Sequence, residues 1–85
     1  MDTPQENILQ AIREERVRQD NKFGSQRTHT PEQWLTILVE EVGEVAEAIL
    51  GEEDKNYPVE LVQVAAVAVV ALESYYDQLE KALNL

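Results

Sequence analysis

Apolar positions along this chain recur at helical spacing in three blocks, each separated from the next by a short polar stretch. Thr3-Pro4-Gln5-Glu6 carries a capping box with proline at the first helical position. It predicts a first helix from Pro4 to about Asp20, with Ile8, Leu9 and Ile12 as its apolar stripe. The stretch from Asn21 to His29 is polar, broken by Gly24, and reads as a loop. Thr30-Pro31-Glu32-Gln33 repeats the start signal. A second helix then runs to about Leu50, where Gly51 is placed to end it. Gly51 to Tyr57 is a charged loop, and Pro58 opens a third helix, because the residue before a proline resists the helical region. That helix is expected to reach the carboxyl end, with a bend near Glu73 to Tyr76. The valine-rich run from Val62 to Val70 is too long and too rich in alanine for a strand.

Placed on a wheel at about 100° per residue, the second helix shows one apolar stripe of Leu35, Leu38, Val42, Val45 and Ile49. Trp34, Ile37 and Ala48 widen it on one side. Glu41 projects inside this arc and Glu44 lies on its border, so Glu41 is expected to be largely buried and Glu44 partly so. Glu40 and Glu47 point towards the polar side. In the third helix the only polar residues between Val59 and Leu72 are Glu60 and Gln63, one turn apart. A helix that is apolar all round must be covered on all sides. A chain of 85 residues cannot easily provide that cover, so further copies are expected to supply it. The expected architecture is all-α, a helical bundle of three to four helices completed by oligomerisation, with residues 1–85 as a single domain.

Composition narrows the chemistry. An apolar content of 44% suits a folded domain, and the absence of cysteine removes disulfides, zinc-thiolate sites and thiol catalysis. The net charge of −10 argues against binding a nucleic-acid polymer, whose backbone rewards clustered Lys and Arg. Five of the seven basic residues fall between Arg13 and Arg27. No amino-terminal segment joins positive charge to an apolar run. The apolar stretch from Leu61 to Leu72 is shorter than the roughly 20 residues that cross a bilayer. A cytoplasmic protein without membrane partners is expected.

Two acidic clusters flank the charged loop. Glu40-Glu41-Val42-Gly43-Glu44 lies on the second helix, and Glu60-Leu61-Val62-Gln63 opens the third. With a rise of about 1.5 Å per residue, Glu44 sits roughly 9 Å before the end of one helix and Gln63 roughly 7 Å into the next. A short connection makes the two helices antiparallel neighbours. Glu41, Glu44, Glu60 and Gln63 then face one another at one level. Carboxylates set into apolar surroundings need a compensating positive charge, and a divalent metal is the obvious candidate.

The pattern Glu40-Glu41-x-x-Glu44 followed by Glu60-x-x-Gln63 resembles the MazG-like all-α nucleoside triphosphate pyrophosphohydrolases, whose motif is EExxE, a variable gap, then ExxD. The Arg18-Gln19-Asp20-x-Lys22-Phe23-Gly24 segment, Trp34-Leu35 and the Ala/Val-rich helix after Glu60 extend the likeness over about Arg13 to Leu72. The resemblance implies hydrolysis of an NTP or dNTP to the monophosphate and pyrophosphate with Mg²⁺, or Mn²⁺ in its place. It also implies a homodimer or homotetramer, and a housekeeping role against unwanted nucleotides. Glu41, Glu44, Glu60 and the residue at position 63 hold the metal in that pattern. Gln63 is a departure, because the usual Asp would bring a charge and Gln brings a neutral carbonyl oxygen on a longer arm.

In that chemistry three carboxylates leave coordination positions for water and phosphate on an octahedral ion, and Glu40 is the candidate for orienting or deprotonating the water. Lys22, with Arg18 or Arg27, is the local source of positive charge for phosphates. Phe23 is a candidate for stacking on a base, Trp34 is expected in the core, and His29 is expected as a loop residue. Two other functions compete: a degenerate family member that binds nucleotide, metal or a protein partner without turnover, and a structural helical oligomer whose acids are surface charge. A di-iron bundle would need Glu-x-x-His pairs, and the sequence has none.

Overall fold

The capping box expected at Thr30 forms in full, whereas at Thr3 only the bond from the Glu6 N–H forms and the reciprocal bond from the Glu6 side chain is absent. In the computed structural model of the chain, which describes residues 2–25 and 28–84, Thr3 Oγ1 accepts the Glu6 N–H at 3.1 Å and opens α1, Pro4–Phe23. Thr30 and Gln33 exchange both bonds of a capping box, at 2.8 and 3.2 Å, and open α2, Pro31–Ile49. Asn56 caps α3, Tyr57–Leu83, by accepting the Val59 N–H at 3.1 Å. The described residues are therefore all-helical, with three helices and no strand.

Two boundaries differ from expectation. α1 continues three residues past Asp20, because Asn21, Lys22 and Phe23 do not stop a helix. It ends where Gly24 adopts φ 76° and its N–H reaches back to Asp20 O at 2.9 Å. α3 begins one residue before Pro58, because Asn56 and not the proline supplies the cap. α3 is assigned as one helix through Glu73 to Tyr76.

α3 is the hub. α1 and α2 both pack on it, and among the described residues no Cα of α1 comes within 8 Å of a Cα of α2. The core lies between α2 and α3, where buried Trp34, Val67 and Val70 are surrounded by Ile37, Leu38 and Ala71. α1 docks differently from its expected stripe. Ile8 and Leu9 are exposed and only Ile12 is half-buried. The inward contact is instead the buried Arg16, whose guanidinium meets Glu73 of α3 at 2.9 Å and Asp20 of its own helix at 2.9 Å.

The apolar arc of α2 is also only half used. Trp34, Ile37, Leu38, Glu41, Val45 and Ala48 face inwards, while Leu35, Val39, Val42 and Ile49 are exposed. An arc about 200° wide cannot be covered by one neighbouring helix. α3 repeats the pattern: Leu61, Leu72 and Leu79 share an exposed face, joined by Tyr75 and Tyr76. By length and composition α3 is apolar enough to cross a membrane, with an 18-residue window of mean hydropathy 1.5. A soluble helix that must be covered by protein on several sides has the same composition. The radius of gyration, 14.6 Å, exceeds the about 12 Å typical of a chain this long. The accessible surface, 6381 Å², exceeds the roughly 5,100 Å² expected of a folded monomer.

Candidate metal centre

Glu41 and Glu44 lie one turn apart on the edge of α2 that meets α3, and Glu60 lies in the first turn of α3. The short connection between the helices brings the three together, so that one carboxylate oxygen from each lies within 4.8 Å of the others. Glu60 is 7% exposed, while Glu41 and Glu44 are half-buried. Glu41 Oε2 and Glu60 Oε2 are buried without a hydrogen-bond donor. Buried carboxylate oxygens are rarely left so, because an unpaired buried charge is costly.

The electrostatics record that cost. Burial, followed by the neighbouring Glu44, Glu60 and Glu15 charges, pushes the Glu41 carboxyl from an ordinary 4.5 up to about 7. Burial and the adjacent Glu44 also push Glu60 up, against a smaller opposing pull from Lys55. Like charges brought together in a half-dry site therefore favour protons over ionisation, or a cation in their place.

Lys55, in the loop between α2 and α3, is that nearby cation. Its Nζ lies 3.7 Å from Glu44 Oε1 and 3.9 Å from Glu47 Oε2. Desolvation lowers its pKa, but the charges of Glu44, Asp54, Glu47 and Glu60 outweigh this and hold it above the ordinary lysine value.

Beside the triad, α1, α2 and α3 enclose a cleft of about 500 Å³. Its floor is apolar, with Trp34, Ile37, Val67 and Val70, and Glu41 and Gln63 stand at one side. The α1 wall carries Arg18, Lys22 and Phe23, so the cationic and aromatic residues singled out in the sequence share a cavity with Glu41 and Gln63, whereas Glu44 and Glu60 do not line it. Arg18 is tied to Glu15 by two bonds of 2.8 and 2.6 Å, and this pairing holds its pKa above the ordinary value. Lys22 Nζ lies 5.1 Å from the centroid of the exposed Phe23 ring. Gln63 is half-buried. Glu40 is exposed and does not line the cleft. Arg27 lies outside the described residues.

Trp34 belongs to the core, as expected, although its indole Nε1–H is buried without an acceptor. His29 lies in the loop before α2. Its ring packs edge-on against Trp34 at 4.8 Å, and its carbonyl accepts from Gln78 Nε2 at 3.1 Å. Sequence reasoning gave no role to Arg16, Glu15 or Lys55. The Arg16–Asp20 spacing of four was visible in the sequence, but Glu73 as partner was not. Lys55 carried a readable signal, because it is the only Lys or Arg between Arg27 and Lys81. Comparison with family models, with curated proteins and with solved structures yields no match to this chain.

Proposed function

We propose that the chain is a Mg²⁺-dependent nucleoside triphosphate pyrophosphohydrolase of the MazG-like all-α type, cleaving an NTP or dNTP to the monophosphate and pyrophosphate. The observation that carries this reading is the convergence of Glu41, Glu44 and Glu60, with two buried carboxylate oxygens left unpaired. The residues fit a hard divalent ion such as Mg²⁺ or Mn²⁺, which takes oxygen ligands and retains positions for water and phosphate. When bound, such an ion supplies Lewis-acid polarisation of phosphate oxygens and acidifies water.

The chain's own residues divide the remaining work. Glu41, Glu44 and Glu60 are the ligands, with the Gln63 side chain at the cleft as a neutral fourth. Arg18 and Lys22 face the cleft as cations for the phosphates, once Arg18 exchanges part of its bidentate pairing with Glu15 for the ligand. Phe23, exposed beside the cleft, offers a face on which a base can stack. Glu40, outside the cleft lining, is assigned only the orienting of water from the rim. The exposed apolar faces of α2 and α3 support a homodimer or homotetramer. The surface in excess of the monomer expectation, roughly 1,300 Å², is more than the ~800 Å² per partner that a standard interface buries. An enzyme of this class would act on free nucleotides in the cytoplasm.

The test is pyrophosphate release from a panel of canonical and modified nucleoside triphosphates, with Mg²⁺ and with EDTA. Release that requires the metal and is lost in Glu60→Gln supports the reading, and no release with any nucleotide rejects it. Gln63 favours a second reading, a chain that binds nucleotide and metal without turnover, because position 63 brings no charge to the cleft. Saturable nucleotide binding without product, with turnover appearing in Gln63→Asp, would establish that alternative.

A further inference from the structure

Among the described residues, the one cation within ion-pair reach of the triad is Lys55. Its root is fixed. The Lys55 N–H donates to Glu52 O at 3.1 Å, and the next residue, Asn56, caps the helix that carries Glu60. Its side chain is only 20% exposed, which is unusual for lysine. Yet its Nζ stays 3.7 and 3.9 Å from the two carboxylates, beyond the about 2.8 Å of a charge-assisted hydrogen bond. Lys55 is therefore held at the triad by charge and not by a directed bond, so it can turn to another anion without breaking one.

The charge balance then decides what the site prefers. Three ionised carboxylates and a divalent ion leave one negative charge, which Lys55 neutralises. Lys55 nevertheless repels a bare divalent ion at short range and competes with it for Glu44. A divalent ion that arrives carrying phosphate oxygens changes this, because Lys55 then has an anion to face. The cations that line the cleft are all on α1: Arg16 is bonded to Asp20 and Glu73, Arg18 is tied to Glu15, and Lys22 lies over the Phe23 ring.

We propose that Lys55 is a selectivity residue of the centre, weakening the binding of a bare divalent ion and favouring one accompanied by phosphate. The inference rests on the metal-centre reading above. It concerns how the site distinguishes two forms of the same ion, and it requires no turnover.

The experiment measures Mn²⁺ affinity by electron paramagnetic resonance of the free ion, with and without inorganic phosphate, for the unaltered protein, Lys55→Met and Lys55→Arg. Lys55→Met keeps an unbranched, largely apolar side chain of similar length, and circular dichroism checks its helix content. The expected result is that Lys55→Met binds Mn²⁺ alone about 3- to 5-fold more tightly than the unaltered protein. Phosphate should strengthen Mn²⁺ binding to the unaltered protein and to Lys55→Arg, and strengthen it less for Lys55→Met. Equal or weaker binding of Mn²⁺ alone by Lys55→Met, with phosphate acting equally on all three proteins, overturns the inference and leaves the metal centre standing. Failure of all three proteins to bind Mn²⁺ removes the metal centre, and the inference falls with it.

Discussion

Replacing Glu41 by glutamine removes a charge that the fold tolerates poorly, and the effect should depend on pH in a definite direction. Folding raises the Glu41 pKa from 4.5 to about 7, so between these values the folded chain holds a proton that the unfolded chain has released. The associated stability is fully present below 4.5 and is lost as the pH rises through about 7. Taken in full, the shift corresponds to about 3 kcal/mol. Glu41 is only half-buried, and solvent screening reduces this to about 1–2 kcal/mol. In EDTA at pH 8, Glu41→Gln should therefore be more stable than the unaltered protein by that amount. For a domain of this length that is a rise in melting temperature of about 5–15 °C. At pH 4 the two proteins should melt nearly together. With Mn²⁺ at pH 8 the order should reverse, because the ligand charge that destabilises the chain alone is what the ion binds. Thermal melts followed by circular dichroism at fixed protein concentration measure all three conditions. A Glu41→Gln variant that is less stable than the unaltered protein in EDTA, equally at pH 4 and pH 8, would refute the claim that carboxylate repulsion governs this site.

Other consequences are open to direct measurement. Arg16→Met should lower stability by about 2–3 kcal/mol in urea titrations, since the buried guanidinium bonds both Asp20 and Glu73 and the substitution removes both ion pairs. A variant that unfolds at the same urea concentration would mean that α1 is held by other contacts. Gln63→Asp should tighten Mn²⁺ or Mg²⁺ binding, by calorimetry, by roughly tenfold, as expected for one more charged ligand. Unchanged affinity would place position 63 outside the coordination shell. Leu61→Glu together with Leu72→Glu, both on the exposed face of α3, should shift the protein towards monomer in sedimentation velocity, whereas a protein that is already monomeric before substitution would contradict the oligomer.

The helix starts were legible because each depends on a few adjacent residues: Thr3 and Thr30 with their prolines carry the whole signal locally. Asn56 was overlooked because Pro58, two positions later, is the louder marker. The triad was legible for a different reason. Glu41 stands out of place in an apolar arc, and Glu60 out of place in an apolar helix, so each asks for a partner before any contact is known. The docking of α1 could not be read. Its anchor is an arginine, a residue that sequence patterns assign to solvent, and its partner Glu73 lies 57 positions away. Nor could the wheel of α2 reveal which half of its arc faces α3. Leu35, Val42 and Ile49 are as apolar as the residues that pack inwards, and only the position of the neighbouring helix separates the two sets.

The molecule measures 49 × 35 × 20 Å, so in its thinnest direction it is about two helices deep. Every atom then lies within half that thickness of bulk water, and depth cannot be what keeps Glu60 dry. Its dryness comes from its place at the seam where the first turn of α3 meets Glu41 and Glu44 of α2. A site this close to solvent relies on its immediate neighbours, and Glu41, Glu44 and Lys55 are the ones the structure places there.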